Sequence, residues 1–335
     1  VSFRALDVPA IRDELAEFLL GYGATIYEKA IRAGKQNLVP RASSPTRSAA
    51  ILAADEIRRL AGAELFFVSA EMAELSVAAA KTLPAFSLMP EDLPSPSGFI
   101  VFDKPFAVAH VDAWHLPTRE DQAPKSGDVQ VIAASWSHWT GGNPDWDLGG
   151  IWITFFDDRD STIESGIAEG IHGVAAGDVM RRVLPRVNLN NEVQAPFTRD
   201  PVDVSVGGRE PVPQSALPAG IHRWTAVLKS TWLLMQQPIT SVSPAATTRA
   251  ARRRYAREDK PLPLVRVITL RRPANPSGSG QSDREYHHQW IVRGHWRQQW
   301  YPSREVHRPV WIAPHVKGPE GAPILGGEKV YAWTR

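Results

Sequence analysis

The sequence predicts an α+β fold with a helical N-terminal part, a central mixed region with antiparallel strands, and a C-terminal four-stranded antiparallel basic sheet. Three observations lead there. Apolar residues recur at helical spacing over the first 80 or so positions and again over 221–237. β-branched and aromatic runs bounded by Gly, Pro and Asp occupy 99–102, 129–136 and 151–156. Residues 286–301 alternate aromatic with cationic side chains, the period of a strand.

Taken in order, Ile11, Leu15, Phe18 and Leu19 share a face of a helix opened by Pro9, which Gly21 and Gly23 loosen or break. A second helical run over 26–32 stops at Gly34. A third spans about 46–60, with Ala50, Ala54, Ile57 and Ala61 at helical spacing and Gly62 as its C-terminal cap. Ser69 is the N-cap of the next, lined by Met72, Leu75 and Ala79, before Pro84 forbids continuation. Prolines 84, 90, 94 and 96 mark an extended connection into the strand runs, and 166–218 reads as irregular with short strands. The helix over 221–237 carries Trp224, Val227, Leu228, Trp232 and Met235 on one side and closes at Pro238.

At 335 residues, 43% hydrophobic and 22% charged, the chain has ordinary globular composition. It divides into an acidic α+β domain, 1–242, and a basic Trp- and His-rich β module with a preceding Arg-rich segment, 243–335. The absence of cysteine excludes disulfides, thiol catalysis and cysteine zinc sites. No apolar run reaches membrane length and no charged-then-apolar leader opens the chain, so a cytoplasmic protein with no membrane partner is expected. P-loop, dinucleotide-binding, HExxH and nucleophile-elbow motifs are missing, and no cofactor is expected. Asp157, Asp158 and Asp160, at the end of a predicted strand, could offer oxygen ligands to Mg²⁺, but such clusters are mostly turns and no metal ligand is assigned.

The net charge of +2 hides an asymmetry. Residues 249–335 hold 17 Lys and Arg against 7 Asp and Glu, a net of +10, while the rest of the chain is −8. The same stretch holds 5 of the 10 histidines and 5 of the 12 tryptophans. Such a field gathers anionic partners, unless the acidic part of the chain covers it. Within 286–301, Tyr286, His288, Trp290, Trp296 and Trp300 fall on one face and His287, Arg293, His295, Arg297 and Tyr301 on the other. On an unbroken strand, residues two apart stand about 6.6 Å apart, close to the spacing of phosphates along a nucleic-acid strand. Gly294 lets the strand bend or another backbone approach closely. Strands over 264–270, 307–312 and 328–333 complete the expected four-stranded sheet, with an ordered Pro- and Gly-rich loop bearing His315 and Lys317 between the last two.

Candidate phosphate contacts are Arg252, Arg253 and Arg254 in the Arg-rich segment and Arg293, Arg297, Arg304, Arg308 and Lys317 in the module. Trp300 and Tyr301, next to Pro302, are the candidates for stacking on bases, whereas Trp290 and Trp296 are expected in the core. The block RGHWRQQWYP, followed by HRPVWIAPHVKGPEGAP and KVYAW, resembles a C-terminal signature of uncharacterised proteins of actinobacteria and their phages or plasmids. That resemblance implies a bacterial or mobile-element setting and no particular activity.

Three functional readings follow. The first is a nucleic-acid-binding protein, with DNA or RNA as partner and limited sequence specificity. The second is a metal-independent ribonuclease or toxin, in which His287 and His295 would move protons beside Arg293 and Arg297. The third is a non-enzymatic module that docks on an acidic protein surface.

Overall fold

The computed structural model describes residues 3–34, 36, 38–40, 44–86, 88–112, 126–139, 148–197, 219–246, 249–257, 259, 262–271 and 290–317. The chain is α+β. Helices α1 (Val8–Phe18), α2 (Ala24–Arg32) and α3 (Pro45–Ala61) precede strand β1 (Glu64–Val68) and helix α4 (Ala70–Ala80). Strands β2 (Ser97–Phe102), β3 (Ala107–Asp112), β4 (Ser126–Trp139) and β5 (Gly150–Asp158) lead to helices α5 (Arg159–Ala168) and α6 (Val174–Val183) and strand β6 (Val187–Pro196). Helix α7 (Ala219–Met235), strand β7 (Thr240–Pro244), helix α8 (Arg249–Arg257) and strand β8 (Val265–Leu270) follow. The chain then forms β9 (Trp290–Val292), β10 (His295–Tyr301), β11 (Val306–Ile312) and β12 (His315–Lys317).

Ser69 caps its helix as expected, while the cap of α3, Ser44, is found only in the structure. The Ser44 hydroxyl accepts from the Arg47 N–H at 3.3 Å ahead of Pro45, and the Ser69 hydroxyl accepts from Met72 N at 3.4 Å. Gly21 and Gly23 do not break the first helix. A π turn over Leu19–Gly23 carries it into α2, and a Cβ on Gly23 would stand 3.1 Å from the Ala53 Cβ, so α2 can lie close on α3. The buried face of α3 is not the expected Ala50–Ala54–Ile57–Ala61 row but Ser48, Ala49, Leu52, Ala53, Glu56 and Leu60.

The main sheet runs β6-β5-β4-β2-β1-β8-β7, with β3 also paired to β4. The expected antiparallel pairing holds for β2–β4 and β4–β5, but β1 pairs in parallel with both β2 and β8. Strand β1 was not expected, because a central parallel strand is buried on both faces and shows no alternation; Leu65, Phe66, Phe67 and Val68 are all buried. The stretch 166–197, read as irregular, contains α6 and β6.

Helices cover both faces of the sheet. Along β4, Ser135 points to α3, where it bonds Glu56, while Trp136 points to α7, where it meets Trp232 edge-on at 5.3 Å. Along β5, Thr154 faces α3 and Phe155 faces Trp224 of α7 at 5.6 Å. The Trp136 indole lies over the Cα of its ladder partner Gly98, where a side chain would collide with the ring, and donates its N–H to Ser95 O at 2.9 Å.

The C-terminal expectation needs correction. There is no four-stranded basic sheet among the described residues; β10 pairs with β11 and β9 with β12, as two separate antiparallel ribbons. The first strand assigned to that module, β8, lies inside the main sheet between β1 and β7, so hydrogen bonding crosses the expected division at 242/243. Local periodicity marks a strand but does not choose its partner. The expected strand over 328–333 lies outside the described residues.

Candidate nucleic-acid interface

Both strands of the ribbon β10–β11 touch the body, β11 more heavily than β10. On β11, Pro309 is buried, Trp311 is 8% exposed and its backbone N–H donates to Gln237 Oε1 at 3.0 Å, just past α7. Arg308 forms an ion pair with Asp92, a fully buried carboxylate in the turn Pro90–Asp92, and burial lowers the pKa of the Arg308 guanidinium while Glu91 opposes that effect. Arg304 reaches Glu91 at 3.6 Å, and Gln236 ties the same turn to α7 by donating to the Asp92 carbonyl at 2.8 Å. On β8, Arg266 pairs with Glu64. Part of the positive field is thus covered by acidic groups of the first 242 residues. Arg308, a candidate phosphate contact, faces the protein instead, because Asp92 has no water to solvate it.

Strand β10 projects beyond this anchor. His295, Arg297, Gln298, Trp300 and Tyr301 are exposed, Trp300 by 43% and Tyr301 by 38%. Only Trp296 reaches the core: its ring packs edge-on against Trp311 at 5.2 Å and its N–H donates to Ala79 O at 2.8 Å. The register sorts the side chains. Trp296 opposite Trp311, Gln298 opposite Pro309 and Trp300 opposite His307 share one face; His295, Arg297, Gln299 and Tyr301 lie on the other. Trp300 and His307 are a cross-strand pair with centroids 4.8 Å apart. Gly294 is where the chain passes the Trp311 ring, since a Cβ there would stand 2.5 Å from it.

The expected row Arg293, His295, Arg297 is interrupted. Arg293 lies in the break between β9 and β10, exposed, with its carbonyl 3.0 Å from His295 Nδ1. Arg297 donates to Gln299 Oε1 at 2.9 Å, and Lys317 is exposed on β12. Arg252 and Arg253 are exposed on α8, which connects β7 to β8 and is no part of the ribbon; the side chain of Arg254, and His287 altogether, lie outside the described residues. Over 290–317 the chain has five Lys and Arg against one acid, Glu305, with three histidines.

Two polar centres were not expected. Beneath α3, Glu56 accepts from Ser135 at 2.9 Å, from Thr154 at 2.8 Å and from Arg59 Nε at 3.0 Å. Glu192 of β6 accepts from Tyr27 at 3.0 Å, Gln36 at 2.6 Å and the Trp152 indole at 3.0 Å, with Arg59 Nη2 at 3.4 Å. Burial raises the pKa of Glu192, and Glu56 adds to the rise against the pull of Arg59. Burial likewise raises Tyr27, whereas Arg59, which burial alone would lower, is held up by Glu56 and Glu192. The network fastens α2, α3, β4, β5 and β6 together. Its one sequence signal is an acid, Glu56, midway between Leu52 and Leu60 on a helical face.

The second centre is Asp157. It lies within β5, not in a turn after it, and burial raises its pKa to about 7 against hydrogen bonds from Thr162 and Asn190. The three aspartates do not converge on a cation: Asp158 caps α5 through Asp160 N at 3.1 Å, and Asp160 pairs with Arg159 at 2.8 Å. Among the described residues no group of three or more His, Asp or Glu could hold a metal ion, and no helix is long and apolar enough to cross a membrane. Comparison with protein-family models, curated proteins and solved structures finds no match to the chain.

Proposed function

We propose that the protein binds nucleic acid with limited sequence specificity through the exposed strand β10 and its flanking residues. The observation that carries this reading is the unequal exposure of the ribbon: β11 carries buried Pro309 and Trp311 and the Arg308–Asp92 pair, while β10, tied to the body through Trp296 and Gln298, exposes His295, Arg297, Trp300 and Tyr301 within seven residues. Guanidinium groups bond phosphate oxygens without reading sequence, and aromatic rings stack on any base. Arg297, Arg293 and Lys317 are the phosphate contacts in this reading, with Arg252 and Arg253 on α8 as an outlying basic patch. Arg308 is left out because it faces the buried Asp92, and Arg304 is secondary because it reaches Glu91 beside it. The test is fluorescence anisotropy with labelled oligonucleotides across a salt series. Affinity should fall steeply with salt through counterion release. The double change Arg293→Ala with Arg297→Ala should remove binding at unchanged stability, and retained affinity would reject the assignment.

A further inference from the structure

The nucleic acid that suits β10 is constrained by where its cations and its indole point. Trp300 and Arg297 belong to the same strand but to opposite faces of the ribbon, Trp300 beside His307 and Arg297 beside Val310. Much of the β11 half of the ribbon faces the body: Trp311 and Pro309 are buried on the Trp300 side and Arg308, on the Arg297 side, is engaged with Asp92, which leaves His307 exposed beside Trp300. Among the described residues β10 shares a strand ladder with β11 alone, and Trp296 and Gln298 bond the body through their side chains; along its other edge His295 and Arg297 are exposed on one side and Trp300 on the other.

A duplex is stiff over about 150 base pairs and keeps its bases paired, so it would engage one side of such an edge and offer nothing to stack on Trp300. A single strand bends at every nucleotide and exposes the faces of its bases. Resting on the nucleic-acid reading above, we infer that the ligand is single-stranded and straddles the edge of β10 away from β11, with one base stacked on Trp300 beside His307 and the adjoining phosphates on the Arg297 side. The recognised chemistry is an unpaired base next to a phosphodiester, which either DNA or RNA supplies.

The experiment uses the full chain with a fluorescein-labelled mixed-sequence 12-mer as single-stranded DNA, as single-stranded RNA and as the matching DNA duplex. Either single strand should bind about tenfold or more tightly than the duplex, and Trp300→Ala should weaken single-strand binding by about tenfold while Trp300→Phe largely preserves it. A duplex bound as tightly as both single strands, or single-strand affinity unchanged in Trp300→Ala, would overturn the inference. If Arg297→Ala weakens every ligand and Trp300→Ala weakens none, the single-strand inference fails and the nucleic-acid reading stands. If the unmodified protein retains none of the three ligands at low salt, that reading fails as well. Urea unfolding of each variant separates lost binding from lost structure.

Discussion

Arg59 and Arg297 use the same side chain to opposite ends. Arg59 lies over the Trp152 ring at 4.5 Å with its side chain 10% exposed, balanced by Glu56 and Glu192. Arg297 is exposed on a ribbon strand, two residues from Gln299 and three from the exposed Trp300. In the interior a guanidinium is tolerated only where carboxylates and hydrogen bonds replace water, so it fixes geometry. At the rim it remains hydrated and available, so it adds little to folding and much to capture of an anion. The difference between the two regions lies in what surrounds the residues, not in the residues themselves.

The largest effect should come from breaking the interior case. Arg59→Met leaves Glu56 and Glu192 facing each other without a cation and should cost about 3–5 kcal/mol in urea unfolding at neutral pH. A loss below about 1 kcal/mol would mean that the carboxylates are not dependent on Arg59.

Asp157 sharpens the same point through pH. Its pKa in the folded chain is about 7 against an ordinary 3.8, so the folded state binds the extra proton between those values. The stability this group contributes is complete below about 4 and is lost as pH rises through about 7. Asp157→Asn, which keeps the shape of the protonated acid, should therefore gain stability relative to the parent as pH rises from 5 to 8, on the order of a few kcal/mol. Parallel pH profiles of the two urea midpoints would show that the carboxyl is solvated.

At the join between the two regions, Gly294→Ala drives a methyl into the Trp311 ring and should destabilise by about 1–3 kcal/mol. Protease cleavage within the ribbon should rise with it. An unchanged unfolding midpoint would place the Trp311 contact elsewhere. Smallest of all, Arg297→Ala and Trp300→Ala should each shift stability by no more than about 0.5 kcal/mol, as exposed positions do. A larger loss in either would make β10 a structural strand.

Much of the local structure was legible. The capping residue Ser69 and the apolar side of α7 set their helices, and β2, β4 and β5 stand where β-branched and aromatic runs lie. What was not legible depended on partners distant in sequence. Glu56 looks like any solvated acid on α3 until Ser135, Thr154 and Arg59 close around it. Arg308 reads as a free cation beside other cations until the turn at 90–92 presents Asp92.

Composition, capping and periodicity by themselves determined the type of most N-terminal helices, of α7 and of strands β2, β4 and β5, and the basic character of the C-terminal segment. Only the tertiary structure decided that β8 joins β1 inside the main sheet, that β11 carries the Asp92 anchor while β10 leaves Arg297 and Trp300 exposed, and which arginines face carboxylates. The physical reason is range. Backbone preference and side-chain period act over a few residues, whereas parallel pairing and the pairing of buried charge are settled between groups that the chain brings together only on folding.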